Sequence, residues 1–338
     1  MRDTENEFVD DPYDGYASCP DTSRAYHHSS HENQLRWMQK SEQVIQEFMD
    51  NLFSFNHFHD AFAHLARQRH EIAFELKQKS EEGQTDNYGS FRKEDDHFRQ
   101  IISAGDGEQF WKWQKTKIFD LTRELIAPLR MDSANKMDNR NYFENDILIC
   151  LREKVVVDEN DATYYCITIK FPKDDMIPAG IQHAATLTQI ELFDFDHHSN
   201  RDMIRIEYTP VDRENTQGHL QIADIYYQAL LAWRPANGVT RYLELSARLA
   251  YLLAHLLLVK QGNSGIVEWM LRGIAFKNGL ALGKFNRAEG ISWDFKAILT
   301  PSQPQYLDWF STSLFSGWAL IDYANPLPRF SYHYHKST

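Results

Sequence analysis

The sequence is poor in cysteine and holds no cysteine pair at metal-ligand spacing. Its three cysteines, Cys19, Cys150 and Cys166, are too few and odd in number for a disulfide framework, and they form no CxxC zinc motif. Cys150 and Cys166 stand in apolar runs of strand character, where a buried structural thiol is the usual role. The cysteine usage predicts a reduced intracellular protein, and we expect it in the cytoplasm.

A net positive charge and long apolar runs are also missing. The formal net charge of −12 argues against the basic surface that binding to nucleic acid or to an anionic membrane requires. The most apolar run, Leu249 to Val259, is about half the length that crosses a bilayer. Met1 to Asp14 is acidic and has no apolar stretch of a signal peptide. We therefore expect neither a nucleic-acid nor a membrane partner.

Several catalytic and metal-binding motifs are absent as well. The chain has no P-loop, no GxGxxG and no GxSxG. Histidines crowd one segment, but His59 and His64 are five apart, and the run from His70 breaks the HExxH pattern at its last position. The stretch 194–198 fits a polar hairpin tip better than a metal site. We therefore predict no metal site.

What the sequence does have is a rich supply of aromatic residues, 13% of 338, which is enough for a large core. Residues 1–34 have the polar, acidic composition of a disordered tail. Helical periodicity covers 35–130, and β-branched or aromatic runs between polar loops cover 131–215. Helical patterns return over 216–330. The predicted fold is α+β, with N-terminal helices, a central antiparallel sheet of about four strands and a C-terminal helical bundle, as one compact unit or two closely packed domains.

One predicted helix, from Thr240 to Val259, is apolar on nearly all sides and yet carries charged residues. Glu244, Arg248 and His255 are spaced by four and seven residues, which places them on one helix face. We call these three the polar stripe. Buried charge is costly unless it is paired, so the polar stripe has to face something polar.

The loop after this helix supplies a candidate for that role. Gly262, Asn263 and Ser264 lead into a second helix, and free amides at a helix start together with the helix dipole attract anions. Glu268 and Arg272 lie one turn apart on this second helix. With His255 near the loop, the set of residues is typical of a phosphate or acyl-group site.

A structural interpretation stands beside this functional one. Glu244 and Arg248 fit an ordinary i,i+4 pair, and His255 fits a histidine satisfied within the core. The loop then serves as a turn between helices, with Ser264 as N-cap and Glu268 in the first turns of the second helix. The residues leave both interpretations open.

The segment from Gly262 to Leu280 resembles the core of the Fic family, whose signature is His-x-Phe-x-Asp/Glu-Gly-Asn-Gly-Arg-x-x-Arg. Gly262-Asn263 matches the Gly-Asn of that signature, and Gly279-Leu280 matches the Gly-Leu that follows the second helix. Leu257 stands at the position of the family's catalytic histidine, and His255 lies two places earlier. The resemblance implies transfer of AMP or another phosphate-containing group to a protein hydroxyl.

The sequence supports two hypotheses about function. The first is a group transferase or hydrolase acting on a phosphate-bearing ligand, with a protein as a further candidate substrate. In it His255 is the acid–base and Glu268 its partner, Arg248 and Arg272 clamp the anion, and Glu244, Gly262, Asn263 and Ser264 complete the ligand site. The cofactor is left open, with a nucleotide and Mg²⁺ as candidates.

The alternative is a non-catalytic adaptor or effector-like module, in which aromatic-rich surfaces bind a protein. The position of His255 discriminates between the two, because catalysis needs it to line an open cleft and the adaptor does not.

Overall fold

The computed structural model of the protein describes residues 31–78, 85–92, 102–103, 120–121, 124–125, 140–141, 148–157, 160–169, 174–178, 181, 188–195, 204–210, 213–283, 285–286 and 291–321. Side chains within some of these helices and strands are not described, notably in most of 140–210.

Two helices begin the described chain. Helix α1 spans His31–Asn51 and continues into a 3-10 turn, Leu52–Ser54, and helix α2 spans Phe58–Glu75. Apolar residues recur at three- and four-residue steps and turn one face of each helix inward. These two helices pack against each other and against the later helix α5, Asn263–Lys277.

Six strands of the middle region pair through their backbones. They are β1 (Ile102–Ser103), β2 (Arg140–Asn141), β3 (Leu148–Val157), β4 (Asn160–Ile169), β5 (Thr188–Phe195) and β6 (Ile204–Pro210). The order across the sheet is β1-β6-β5-β4-β3-β2, and every pair is antiparallel. The register of β3 and β4 runs from Leu148 opposite Ile169 to Val157 opposite Asn160.

The C-terminal part is a set of helices with one small sheet. Its elements are α3 (Arg213–Ala232), α4 (Val239–Leu256), α5, β7 (Leu280–Leu282), α6 (Trp293–Leu299), α7 (Gln303–Trp309), a π turn (Phe310–Leu314) and β8 (Trp318–Leu320). Strands β7 and β8 form an antiparallel pair. Helix α4 ends where Leu257 takes a left-handed conformation with φ of 43°.

The hydrophobic core lies around α4 and α5. Nearly every residue of α4 from Tyr242 onward and of α5 up to Ala275 is buried. Helices α3, α6 and α7 pack on α4, while α1 and α2 pack on α5. A helix that is apolar on all sides must be packed against other elements on every side, because any uncovered side would leave apolar surface in water.

The predicted fold class, α+β with a central antiparallel sheet of about four strands, was wrong. Of the residues whose side chains the structure also describes, 69% are helical, and the strands among them are only the small β7–β8 sheet and a lone strand. That strand lies in β4, which contributes Tyr165, Ile167 and Ile169 to the core. The strand-like runs in the sequence suggested a central sheet. The hydrophobic core instead lies around the two helices that are apolar on nearly all sides.

Several boundaries also differ from the prediction. Helix α1 begins at His31, inside the segment 1–34 that was predicted as a tail, and residues 1–30 lie outside the described chain. Much of the second half of 35–130, the segment predicted to be helical, also lies outside it. None of the helices in the described part of the chain is long and apolar enough to span a bilayer.

Candidate functional site

The central residue of the predicted site, His255, is sealed in the core. It lies in the last turn of α4 with 0% of its surface exposed. The ring of Tyr251, one turn earlier, meets it edge-on at 4.6 Å between ring centroids. Burial lowers the pKa of His255 to about 3; the backbone of Ala297 opposes this shift, and His219 of α3 adds to it. His255 is therefore a neutral ring at pH 7 and lines no cleft.

Helices α6 and α7 close the core on the side of Tyr251. The Tyr251 hydroxyl donates a hydrogen bond of 2.8 Å to the carbonyl of Pro301, between these two helices. Its ring lies 5.3 Å from the ring of Tyr306 on α7, which is also fully buried. Tyr251, which contacts His255, is thus also held by α6 and α7. Opening the histidine to solvent would require these two helices to move.

Glu268 and Arg272 form a buried ion pair on α5. Arg272 Nε lies 2.7 Å from Glu268 Oε1, and the two residues are only 6% and 4% exposed. Burial raises the pKa of the Glu268 carboxyl, and the charge and hydrogen bond of Arg272 oppose that rise. Glu268, which was predicted as the partner of His255, therefore pairs with Arg272 instead.

Arg272 is also bound on its other side. Its Nη1 donates to the carbonyls of Leu282 and Gly283, at 2.9 and 3.0 Å. The guanidinium carbon lies 5.2 and 5.7 Å from the ring centroids of Phe285 and Phe315. These contacts tie α5 to β7 and enclose the charge between rings. The guanidinium predicted to clamp an anion stabilises the fold instead.

The predicted anion loop is covered by Arg69 of α2. Gly262 has φ of 87°, and a Cβ atom there would lie 2.7 Å from Arg69 Nε. The Arg69 guanidinium is held between the rings of Trp37 and Tyr88, at 4.6 and 4.2 Å from their centroids, and Nη1 donates to Gln78. Glycine is needed at position 262 because a buried arginine of the same chain lies against the loop.

The backbone just before this loop, at residues 260 and 261, is hydrogen-bonded to another segment. Residues 87–92 run beside it: Gly89 N donates to the Gln261 carbonyl at 3.0 Å, and Gln261 N donates to the Asn87 carbonyl at 3.1 Å. Lys260 N donates to Ser90 O at 2.9 Å. The backbone here is thus engaged within the protein.

The first two loop side chains at the start of α5 have internal partners too. Asn263 Nδ2 donates to the Leu253 carbonyl at 3.0 Å and so joins the loop to α4. The side chain of Ser264 hydrogen-bonds to the carboxylate of Asp294, at the start of α6. An acidic side chain of this protein thus lies at the helix end that was predicted to bind an external anion, where the dipole favours it.

Glu244 and Arg248 do not pair with each other. Arg248 Nη1 binds the carboxylate of Asp174, which also accepts a 2.6 Å hydrogen bond from the hydroxyl of Tyr226. Glu244 Oε2 lies 3.4 Å from Arg241 Nη1. The side chains of Arg248 and Glu244 are 23% and 41% exposed, so this end of the polar stripe reaches solvent.

The predicted site therefore divides into separate contacts. The structure pairs Glu268 with Arg272 as one unit, but His255 is enclosed by α3, α6 and α7, and Arg248 belongs to a cluster with Asp174. Sequence reasoning missed Arg69, Asp174 and Asp294. Arg69 alone left a signal, as a charged residue on the apolar face of its helix. Among the described residues, no three His, Cys, Asp or Glu side chains gather as a metal site.

No known protein-family model matches the chain, and no curated protein matches it significantly. The resemblance to the Fic family stays a prediction, and no activity is carried over from a relative. The function has to be argued from the geometry.

Proposed function

We propose that this protein is a non-catalytic protein-binding module. The observation that carries the proposal is the complete burial of His255, at 0% exposure, away from any cleft. General acid–base catalysis needs the group within hydrogen-bonding reach of the substrate. A ring enclosed by α3, α6 and α7 has no such reach unless the core opens.

The surface supports the same proposal. Large apolar side chains stand exposed at several places, and these are Phe53, Phe74, Phe91, Trp318 and Leu320. Aromatic residues with apolar neighbours are typical anchors of protein–protein interfaces. The cytoplasmic location expected from the cysteine usage and a protein partner belong to this one proposal.

Ligand-dependent thermal unfolding separates the module from the phosphate enzyme. We expect AMP, ATP with Mg²⁺, and inorganic phosphate to leave the melting temperature of the full chain unchanged. A ligand present at a hundred times its dissociation constant would add about 2.7 kcal/mol to the free energy of unfolding. A stabilisation of that size by a nucleotide, lost in Arg248→Ala, would overturn the proposal.

Partner binding supplies the positive test. A protein captured by the full chain is purified, and its dissociation constant is measured by calorimetry. Replacement of His255 by Phe keeps an aromatic ring in the core and removes both ring nitrogens. We expect His255→Phe to bind the partner as the wild type does, whereas polar replacements of the exposed aromatic residues weaken binding. Loss of binding in His255→Phe with an unchanged melting temperature would contradict a passive core role.

A further inference from the structure

Strand β8 is paired on one side only within the described part of the chain. Leu280, Ala281 and Leu282 of β7 stand opposite Leu320, Ala319 and Trp318 of β8. No described strand pairs with the other edge of β8. This outer edge is short, three residues, but none of them is charged and none is proline, so it lacks two of the devices by which proteins usually protect an open strand.

The hydrogen bonds show which backbone groups face outward. Gly283 N donates to the Gly317 carbonyl, and Ile321 N donates to the Gly279 carbonyl, both at 2.8 Å. In an antiparallel ladder such pairs alternate, so Ala319 is the residue between them that turns its N–H and C=O toward β7. The N–H and C=O groups of Trp318 and Leu320 therefore point away from β7, toward the outer edge.

The side chains at this edge are apolar and lie on one face. Trp318 and Leu320 are 41% and 49% exposed, whereas Leu282 and Leu280, opposite them on the same face, are 3% and 0% exposed. Side chains two apart in a strand share a face, and directly opposite residues share it too. The buried surface of β7 thus continues into an uncovered apolar surface on β8.

We propose that the outer edge of β8 binds an extended segment of a partner protein as an added strand, and this proposal rests on the protein-binding function proposed above. The outward groups of Trp318 and Leu320 would bond the backbone of that segment, and alternate apolar side chains of the segment would cover Trp318 and Leu320. The net charge of −12 favours a segment with basic residues between the apolar ones, because opposite charge speeds encounter.

A second copy of this chain fits the edge less well. A stable interface buries at least about 1,000 Å² in total. Two three-residue strands with one exposed Trp and one exposed Leu each would cover only a few hundred Å², at roughly 150–250 Å² for a fully buried aromatic side chain. The area therefore favours a peptide segment over a dimer, and sedimentation of the chain alone should show a monomer.

The experiment uses a seven-residue peptide of alternating lysine and valine, Lys-Val-Lys-Val-Lys-Val-Lys, titrated into the full chain by calorimetry at low salt. We expect binding by the wild type and by Leu320→Val, which keeps a branched apolar side chain. Leu320→Pro should bind roughly tenfold more weakly, because it loses one outward N–H while the bonds of Ala319 to β7 remain.

A second measurement avoids any change in the protein. In the same peptide with methylated backbone amides at its three valines, one hydrogen-bonding edge is blocked. We expect this peptide to lose binding to the protein if that edge is the one that pairs with β8. The peptide methylated at its lysines blocks the other edge and serves as the matched control. Equal binding by both methylated peptides and the parent would overturn strand addition, even if Leu320→Pro failed to fold.

The remaining outcomes separate this proposal from the general one. Absence of binding by the parent peptide up to about 1 mM overturns the strand proposal. Equal affinity of wild type and Leu320→Pro for a purified protein partner overturns the β8 edge as its site and leaves the binding module standing. Stabilisation of the protein by a nucleotide, in contrast, would contradict the proposal that the protein is a binding module.

Discussion

Two ion pairs at the ends of the α4–α5 region differ in how fully the protein encloses them. Glu268 and Arg272 lie deep in the core, with side chains 3% and 6% exposed. In the other pair, Asp174 is 1% exposed but Arg248 is 23% exposed, so water still reaches its guanidinium. In both pairs a charge on an apolar helix is satisfied within the same chain, by a residue of the same helix for Arg272 and by a distant segment for Arg248. A charged stripe on a buried helix therefore predicts a polar partner, but that partner need not be a ligand.

The largest expected effect comes from removing Glu268. In Glu268→Ala the Arg272 guanidinium stays buried and loses its carboxylate, so we expect the free energy of unfolding to fall by about 3–5 kcal/mol. Urea denaturation of the wild type and the variant measures the difference. Glu268→Gln keeps a hydrogen-bond acceptor without the charge and should fall between them. A loss below about 1 kcal/mol in Glu268→Ala would mean that water replaces the carboxylate.

The loop at Gly262 should give the next largest effect. Gly262 has φ of 87° and ψ of 10°, a left-handed conformation, and a Cβ atom there would meet the side chain of Arg69. Gly262→Ala should therefore cost about 1 kcal/mol for the backbone conformation and about 1–3 kcal/mol more from the overpacked contact. Gly238 has φ of 81° and ψ of 143° and open space around a Cβ atom, so Gly238→Ala should cost about 1–3 kcal/mol from the backbone alone. A loss of only about 1 kcal/mol in Gly262→Ala would show that Arg69 moves away freely.

Asp174→Ala tests the partly exposed ion pair. The variant removes the acceptor of Arg248 and of the Tyr226 hydroxyl, and we expect a loss of about 1.5–3 kcal/mol in denaturant unfolding. The loss should be smaller than in Glu268→Ala because Arg248 keeps some solvent. Glu244→Ala is the matched control, since its pair with Arg241 is largely exposed and should contribute about 0.5 kcal/mol or less. A reversed order of Asp174→Ala and Glu268→Ala would break the comparison between the two pairs.

The smallest effect at neutral pH should come from His255, and it grows in acid. Its folded-state pKa of about 3 lies below the ordinary value of 6.5, so the unfolded state takes up a proton first as the pH falls. Above pH 6.5 the buried neutral ring therefore does not lower the free energy of unfolding. As the pH falls from 6.5 to about 3, the free energy of unfolding decreases progressively. The slope is about 1.4 kcal/mol per pH unit, or roughly 2 kcal/mol by pH 5.

Comparison of the wild type with His255→Phe between pH 7 and 5 isolates this contribution. The wild type should lose more stability over that interval than the variant, because other titrating groups are common to both. Parallel pH profiles would show that His255 gains a proton without leaving the core, and would revive an accessible site around it.

Local patterns in the sequence predicted the helices around the candidate site well. The predicted helix from Thr240 to Val259 is α4, Val239–Leu256, and the second helix predicted after the loop is α5, Asn263–Lys277. Such elements are readable because helical periodicity and glycine turns depend on residues a few positions apart. The early end of α4 at Leu257 was not readable, because a leucine with φ of 43° follows no local rule.

The same local patterns could not predict the contacts of the polar residues. Arg248 was predicted either to clamp an anion or to pair with Glu244, four positions away, but it pairs with Asp174, 74 positions away in the chain. The loop at Gly262 was expected to be open, yet Arg69 covers it. A one-dimensional pattern places a charge on a helix face but carries no information about which distant segment packs there.

The sequence by itself determined that α4 and α5 are buried helices joined by a glycine loop, and that the charges on them need partners, because burial of an unpaired charge is too costly. Only the tertiary structure decided that Arg248 pairs with Asp174, that Asp294 and the ring-held Arg69 lie against the loop, and that His255 faces the core. It also decided that the uncovered apolar surface lies at Trp318 and Leu320. These outcomes depend on packing between segments far apart in the chain, where many arrangements satisfy the same local preferences and only the complete fold selects one.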